Sequence, residues 1–89
     1  EVGAYLLGKL AELKDQRQDI VEVRGKGLMA AIEFSRDCAP AVGANCLRHG
    51  LIVNSIGQNI LRFLPPLIAK REHVDSAVRI VSEAISETG

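Results

Sequence analysis

Residues 28–34 constrain the fold of this chain more than any other segment, because they are apolar on both faces of a strand. Alternate side chains of a strand point to opposite sides of the sheet. One face would carry four apolar residues, Leu28, Ala30, Ile32 and Phe34, and the opposite face stays apolar until Glu33. A strand of this kind needs cover on both sides. We expect helices of the chain to cover one side and to leave the other side exposed.

Hydrophobic periodicity predicts the elements around this segment. Apolar residues three and four apart predict helices over residues 2–14, 39–49 and 71–87, and short β-rich runs predict strands over residues 20–24, 28–34, 51–54 and 60–64. Turns are predicted at residues 25–27 and 55–59, a left-handed helix cap at Gly50, and a strand stop at residues 65–66. This order predicts a single α+β domain, with two layers and a small, largely antiparallel sheet covered by helices. With aromatic residues at only 3%, we expect an aliphatic core.

Composition and charge exclude several classes of partner. The 11 basic and 11 acidic residues balance and form no basic stripe, so no nucleic-acid partner is predicted. No apolar run approaches the roughly 20 residues of a membrane helix, so no membrane partner is predicted either. Cys38 and Cys46 lack the further ligands of a zinc site, and we expect free thiols in a cytoplasmic protein. Because the chain begins with Glu1 and not with methionine, we expect its natural N-terminus to be missing.

Arg62 is the most informative single residue, because it interrupts an otherwise apolar strand. A buried arginine without an anionic partner is costly, so the protein must supply an anion or leave the side chain in water. The strand alternation allows the second arrangement, a residue on the solvent face. The alternative is a guanidinium directed at a ligand carboxylate, which its planar fork can bind with two hydrogen bonds.

The remaining polar residues do not form a catalytic set. His49 and His73 fall at predicted helix ends, the serines lack a neighbouring histidine and carboxylate, and no two carboxylates are placed for acid–base work. Residues 24–27 could cradle a phosphate with backbone amides, but they join two strands and lack the known phosphate-binding spacings. A hairpin turn is the better interpretation. No catalytic, cofactor-binding or metal-binding residue is therefore predicted in this chain.

Two ordered stretches resemble segments of the class III aminotransferases, which use pyridoxal phosphate (PLP). Residues 23–34, VRGKGLMAAIEF, resemble the family's VRGxGLMxGIE segment. Residues 50–54, GLIVN, followed by residues 60–67, ILRFLPPL, resemble its GLLVN…vlRflPPL segment. The spacing and the closing helix also match, so the resemblance covers essentially the whole chain. Ala31 is a departure, since the family often has glycine at that position.

The resemblance implies that residues 1–89 are the C-terminal small domain of a fold-type I aminotransferase whose large PLP-binding domain is absent. Within class III the chain resembles the acetylornithine/succinyldiaminopimelate branch, with ornithine and 4-aminobutyrate aminotransferases as alternatives. The implied reaction is amino transfer between N-acetylornithine and 2-oxoglutarate, a step of arginine biosynthesis. PLP would be attached to a lysine of the large domain, so we expect the fragment alone to bind no cofactor and to be inactive. The implied partners are amino-acid and 2-oxo-acid substrates, the large domain and the second subunit of a homodimer.

The same resemblance matches Arg62 to the family arginine that binds a substrate carboxylate in the cleft between the two domains, and this favours the ligand-binding role. A free-standing α+β module that binds a small regulatory molecule is the alternative from another class of function. Such a module should be closed on itself. An enzyme domain should instead leave apolar area uncovered on the strand at residues 28–34 and on the helix at residues 2–13.

Overall fold

The computed structural model of the chain describes residues 2–26, 29–63 and 70–88. The helices are α1 (Val2–Gln16), α2 (Ala39–Arg48) and α3 (Arg71–Thr88). The strands are β1 (Ile20–Lys26), β2 (Met29–Phe34), β3 (Val53–Ile56) and β4 (Ile60–Phe63). The described helices are all too short or too polar to cross a bilayer.

The four strands form one antiparallel sheet in the order β1-β2-β4-β3. The two hairpins, β1–β2 and β3–β4, are joined side by side through β2 and β4, which become the central strands. All three helices pack on one face of the sheet, where the buried side chains of β2 and β4 also lie. The predicted two-layer α+β domain with an antiparallel sheet is therefore confirmed.

The core lies between the helices and this sheet face. Leu6, Leu10 and Leu13 of α1 are buried at helical spacing, and Val74, Val81 and Ile85 of α3 form a second buried stripe. Alternation in the central strands buries Ala30, Ile32, Phe34, Leu61 and Phe63. The core is mostly aliphatic, as expected, although Phe34 and Phe63 are its largest fully buried side chains.

The bounds of the second hairpin differ from the sequence-based prediction. Strand β3 begins at Val53 and not at Leu51, because the amide of Leu51 bonds to the Cys46 carbonyl (2.9 Å) in the cap of α2. Gly50 adopts φ +89° in this cap, as predicted, and bonds to the Leu47 carbonyl. Strand β3 consequently runs to Ile56, and the second turn shortens to residues 57–59.

The first hairpin connection is also shorter than predicted. Gly25 and Lys26 pair with Ala30 and Met29 in the β1–β2 ladder, so they belong to the strand and not to the turn.

The expected uncovered surface on α1 is wrong as well, since its leucine stripe packs against β1 and α3. The predictions for Gly27, Leu28 and residues 64–66 concern positions outside the described residues.

Gly25 is a position where the fold leaves no room for a side chain. An ideal Cβ there would lie 2.5 Å from the Met29 carbonyl oxygen and 2.8 Å from Leu7 Cδ2. The leucine can rotate, but the carbonyl is held by the β1–β2 pairing. Gly25→Ala should therefore lower the free energy of unfolding by about 1–3 kcal/mol in urea denaturation.

Gly8→Ala is the matched control for this substitution. Gly8 is exposed on α1, and an added Cβ would meet nothing within 4 Å. Alanine has the higher helix propensity, so this variant should gain about 0.5–1 kcal/mol. Equal effects of the same sign in the two variants would contradict the close approach at Gly25.

A polar cluster joins the C-terminal ends of α2 and α3. Glu87 accepts hydrogen bonds from His49 Nε2 (2.9 Å) and Arg48 Nη2 (3.3 Å). The bond from His49, more than the neighbouring charges, lowers the pKa of Glu87 below its usual value. A lowered folded pKa stabilises the fold above the unfolded carboxyl pKa of about 4.3, and this contribution disappears as the pH falls through the folded pKa.

Glu87→Gln should consequently lower the melting temperature slightly at pH 6, and the difference from the wild-type chain should shrink below about pH 4. Because this pair lies at the surface, the effect should also weaken in high salt. Thermal unfolding of both chains between pH 3 and pH 7 measures it. A difference that stays constant over this range would exclude the Glu87 contribution.

The two thiols, Cys38 and Cys46, are free, as predicted, and the structure shows that both are buried. Burial, with a smaller effect of Glu87, raises the pKa of Cys46 to about 11. Burial also raises the pKa of Cys38. Both thiols are therefore protonated near neutral pH, which suits residues that fill the core beside α2.

Candidate functional site

The second face of the sheet carries no helix in the described part of the chain. Strand pairing aligns four residues across it in one row, Arg24, Ala31, Arg62 and Asn54. Directly opposed residues of antiparallel strands have Cβ atoms about 4.5–5.5 Å apart. Met29 and Ile56 remain 44% and 41% exposed on the same face, so its apolar surface is uncovered, as expected for residues 28–34.

A depression of about 320 Å³ lies on this open face. It is lined by Arg24, Gly25, Met29, Ala30, Ala31 and Arg62. The two arginines stand on opposite sides of it, because β1 and β4 flank the central strand β2. Its lining is otherwise made of small or apolar residues.

Arg62 projects onto the open face because its neighbours Leu61 and Phe63 are buried in the core. The residue is half-buried, and its Nε atom is buried without a hydrogen-bond partner among the described residues. A buried donor without a partner is destabilising unless a ligand or water completes it. A guanidinium nitrogen without a partner among the described residues thus lies at the margin of the depression.

Arg24, on the other side of the depression, already has anionic partners. Its Nη1 atom lies 3.0 Å from Glu33 Oε1 and 3.1 Å from Glu22 Oε1. These ion pairs lie at the surface, so each contributes little to stability. They nevertheless occupy the guanidinium of Arg24, which leaves Arg62 as the better candidate for an external carboxylate.

The sequence-based candidates for acid–base chemistry do not meet at the depression. His49 bonds to Glu87 in the helical layer, and His73 is exposed in the first turn of α3. Lys9 and Lys14 lie on α1, and Lys70 directly precedes α3. The described residues thus bring the guanidinium of Arg62 to the open face, but no acid–base or nucleophilic pair.

The neighbours of Arg62 were not identifiable from the sequence. Met29, Ala31 and Asn54 carry no chemical signal of their own, and strand alternation assigns them only to a face. Their proximity to Arg62 depends on the pairing of β4 with both β2 and β3. Only a prediction of the strand order could have identified these neighbours of Arg62.

Comparisons with known proteins agree over nearly the whole chain. The family model described as "Aminotransferase class-III" matches residues 1–85. Acetylornithine aminotransferase of Caldanaerobacter subterraneus subsp. tengcongensis is 38% identical over 85 residues, which are 96% of this chain and 22% of the relative. The enzyme of the same name from Methanosarcina mazei is 42% identical over 84 residues, 94% of this chain and 20% of the relative.

Solved structures give the same result for the fold. Lysine aminotransferase from M. tuberculosis superposes with a TM-score of 0.89 at 27% identity, over 98% of this chain and 20% of that one. Ornithine aminotransferase from Plasmodium yoelii superposes with a TM-score of 0.87 at 26% identity, over 99% of this chain and 24% of that one. The chain thus spans only about a fifth of the length of the curated relatives it matches.

Proposed function

Because the chain belongs to the class III aminotransferase family, we propose that it is the C-terminal small domain of an aminotransferase and that Arg62 binds a substrate carboxylate there. The observation that carries this role is the buried Nε of Arg62, which has no partner among the described residues and lies beside an open depression. A bound carboxylate would provide the anion that this guanidinium needs. The uncovered sheet face also fits a domain that packs against a larger one better than a closed regulatory module.

The proposed reaction is amino transfer between N-acetylornithine and 2-oxoglutarate, in arginine biosynthesis. The name of the relatives at 38% and 42% identity supports this substrate. The ornithine aminotransferase among the structural neighbours keeps ornithine as the alternative amino donor. In either case the protein would act as a cytoplasmic homodimer, as the family resemblance implies.

The described residues do not fit a complete PLP site. Class III aminotransferases depend on PLP in general, and the cofactor withdraws electrons from the substrate when it is bound. A covalent site would need a lysine at the depression, and no lysine is among the residues that line it in the described part of the chain. As the family resemblance implies, the cofactor lysine would belong to the large domain.

The contribution of this chain is to bind and orient the substrate. The guanidinium of Arg62 can donate two parallel hydrogen bonds to one carboxylate, which fixes both the position and the plane of that group. Strand β4 holds Arg62 by burying Leu61 and Phe63 on either side of it. A rigid anchor of this kind lowers the entropic cost of aligning the substrate for reaction.

The experiment that tests this function is an assay of the longer protein that contains residues 1–89. We expect transfer of the amino group to 2-oxoglutarate, with a higher kcat/KM for N-acetylornithine than for ornithine, 4-aminobutyrate or lysine. The 89-residue chain assayed alone should be inactive. A start codon immediately before Glu1, or no amino transfer from any of the four donors, would contradict the proposal.

A further inference from the structure

We propose that the depression above Ala31 is a subsite for the aliphatic part of the substrate, and that the small side chain of Ala31 determines the chain length it accepts. This inference rests on the proposed role of Arg62 as the carboxylate ligand. It assigns a specificity-determining role to a residue with no reactive group.

Ala31 creates the depression through its position in the sheet. It pairs with Arg24 on one side and with Arg62 on the other, and it follows Met29 on the same face of β2. A single methyl group is thus surrounded by four long side chains, since Glu33 follows Ala31 on the same face. The depression exists because the central residue of this row is short, and a longer side chain at this position would fill it.

The lining of the depression favours an aliphatic chain. On the open face its surface is formed by Met29, Ala31 and the hydrocarbon stems of the arginines, and Gly25 and Ala30, whose register faces the core, complete the lining. Arg62 offers a charged group at one margin, whereas the guanidinium of Arg24 is occupied by Glu22 and Glu33. The ligand that fits is a carboxylate with an unbranched chain, which binds Arg62 with its acid group and lays its methylenes over Ala31.

The volume agrees with this class of ligand. At about 320 Å³, the depression is near the lower end of the roughly 300–1,000 Å³ typical of small-molecule sites. A ligand with an aliphatic chain of a few carbons would fill this volume. Each methylene removed from water should strengthen binding by about fourfold.

The experiment measures inhibition of the full-length aminotransferase by unbranched monocarboxylates, namely acetate, butyrate and hexanoate. In the wild-type enzyme the inhibition constant should fall with each added methylene. Ala31→Leu should raise the constant for hexanoate about tenfold or more and that for acetate less than threefold. Ala31→Val should have an intermediate effect, and Ala31→Gly should keep the wild-type dependence on length.

Ala44→Leu is the matched control, because Ala44 is exposed on α2, in the opposite layer. It should leave all three inhibition constants unchanged. Melting temperatures of each variant verify that the domain is folded, and Ala31→Val replaces Ala31→Leu in the comparison if the larger side chain prevents folding.

The two proposals fail in different ways. If Arg62→Ala weakens the binding of all three acids but the effects of the Ala31 variants do not depend on chain length, the proposed subsite is wrong and the carboxylate role of Arg62 stands. If Arg62→Ala leaves all inhibition constants unchanged, both the carboxylate role and the subsite are overturned. A loss of binding in Ala31→Leu that is equal for acetate and hexanoate also overturns the proposed subsite.

Discussion

Arg62→Ala in the full-length enzyme should reduce kcat/KM for the amino-acid substrate by about a hundredfold, or roughly 3 kcal/mol of transition-state binding. The variant loses two charge-assisted hydrogen bonds to one carboxylate. Arg62→Lys should recover only part of the loss, because an ammonium group cannot reproduce the planar fork. Steady-state kinetics of both half-reactions provides the measurement.

The stability of the same variant provides an independent result. Since Nε of Arg62 is buried without a partner among the described residues, its removal should leave the melting temperature unchanged or raise it. Arg79→Ala is the control, because Arg79 lies in the helical layer, on α3, where it is paired with Glu83 at the surface. Its kcat/KM should change much less. An unchanged kcat/KM for both half-reactions in Arg62→Ala would reject the proposed role.

Phe63→Ala should lower the free energy of unfolding by about 3–5 kcal/mol, the usual cost of removing a buried phenylalanine. Phe63 is 1% exposed and is among the largest fully buried side chains of the core. A domain of this size has a total stability of about 4–13 kcal/mol, so the variant should lose a large part of it. Urea denaturation followed by far-UV circular dichroism is the measurement.

Met29→Ala is the control for Phe63→Ala. Met29 is 44% exposed on the other face of the sheet, so its truncation should cost less than about 1 kcal/mol. Phe63 also directly follows Arg62, and its loss should loosen the strand that positions the guanidinium. Similar losses of stability in the two variants would contradict the assignment of the helical side of the sheet as the core.

The elements themselves were predictable, because their signals are local. The apolar stripes of α1 and α3 and the alternation in β2 and β4 depend on spacings of two to four residues along the chain. The boundary errors at β3 have a local physical cause too. Leu51 has the sequence of a strand residue, but its amide is used in the cap of α2, and a hydrophobicity pattern does not reveal where an amide bonds.

The site was only partly predictable, for a different reason. Arg62 could be identified because a charge in an apolar strand needs a partner. The depression could not, because it is formed by residues from three strands, Arg24, Ala31 and Arg62, that are far apart in sequence. Their alignment depends on the order of the strands in the sheet, and no single segment of the sequence contains that information.

A small α+β domain with Arg62 in an apolar strand was predictable from the sequence, because periodicity, charge and motif order are properties of neighbouring residues. The tertiary structure alone decided that β2 lies between β1 and β4. That order places Ala31 between two arginines, and the packing of the helices on the other face leaves the side of Met29 and Ala31 open. Such an arrangement is a property of the whole core, because the free energy of burial is summed over all the elements that pack together and not over any one segment.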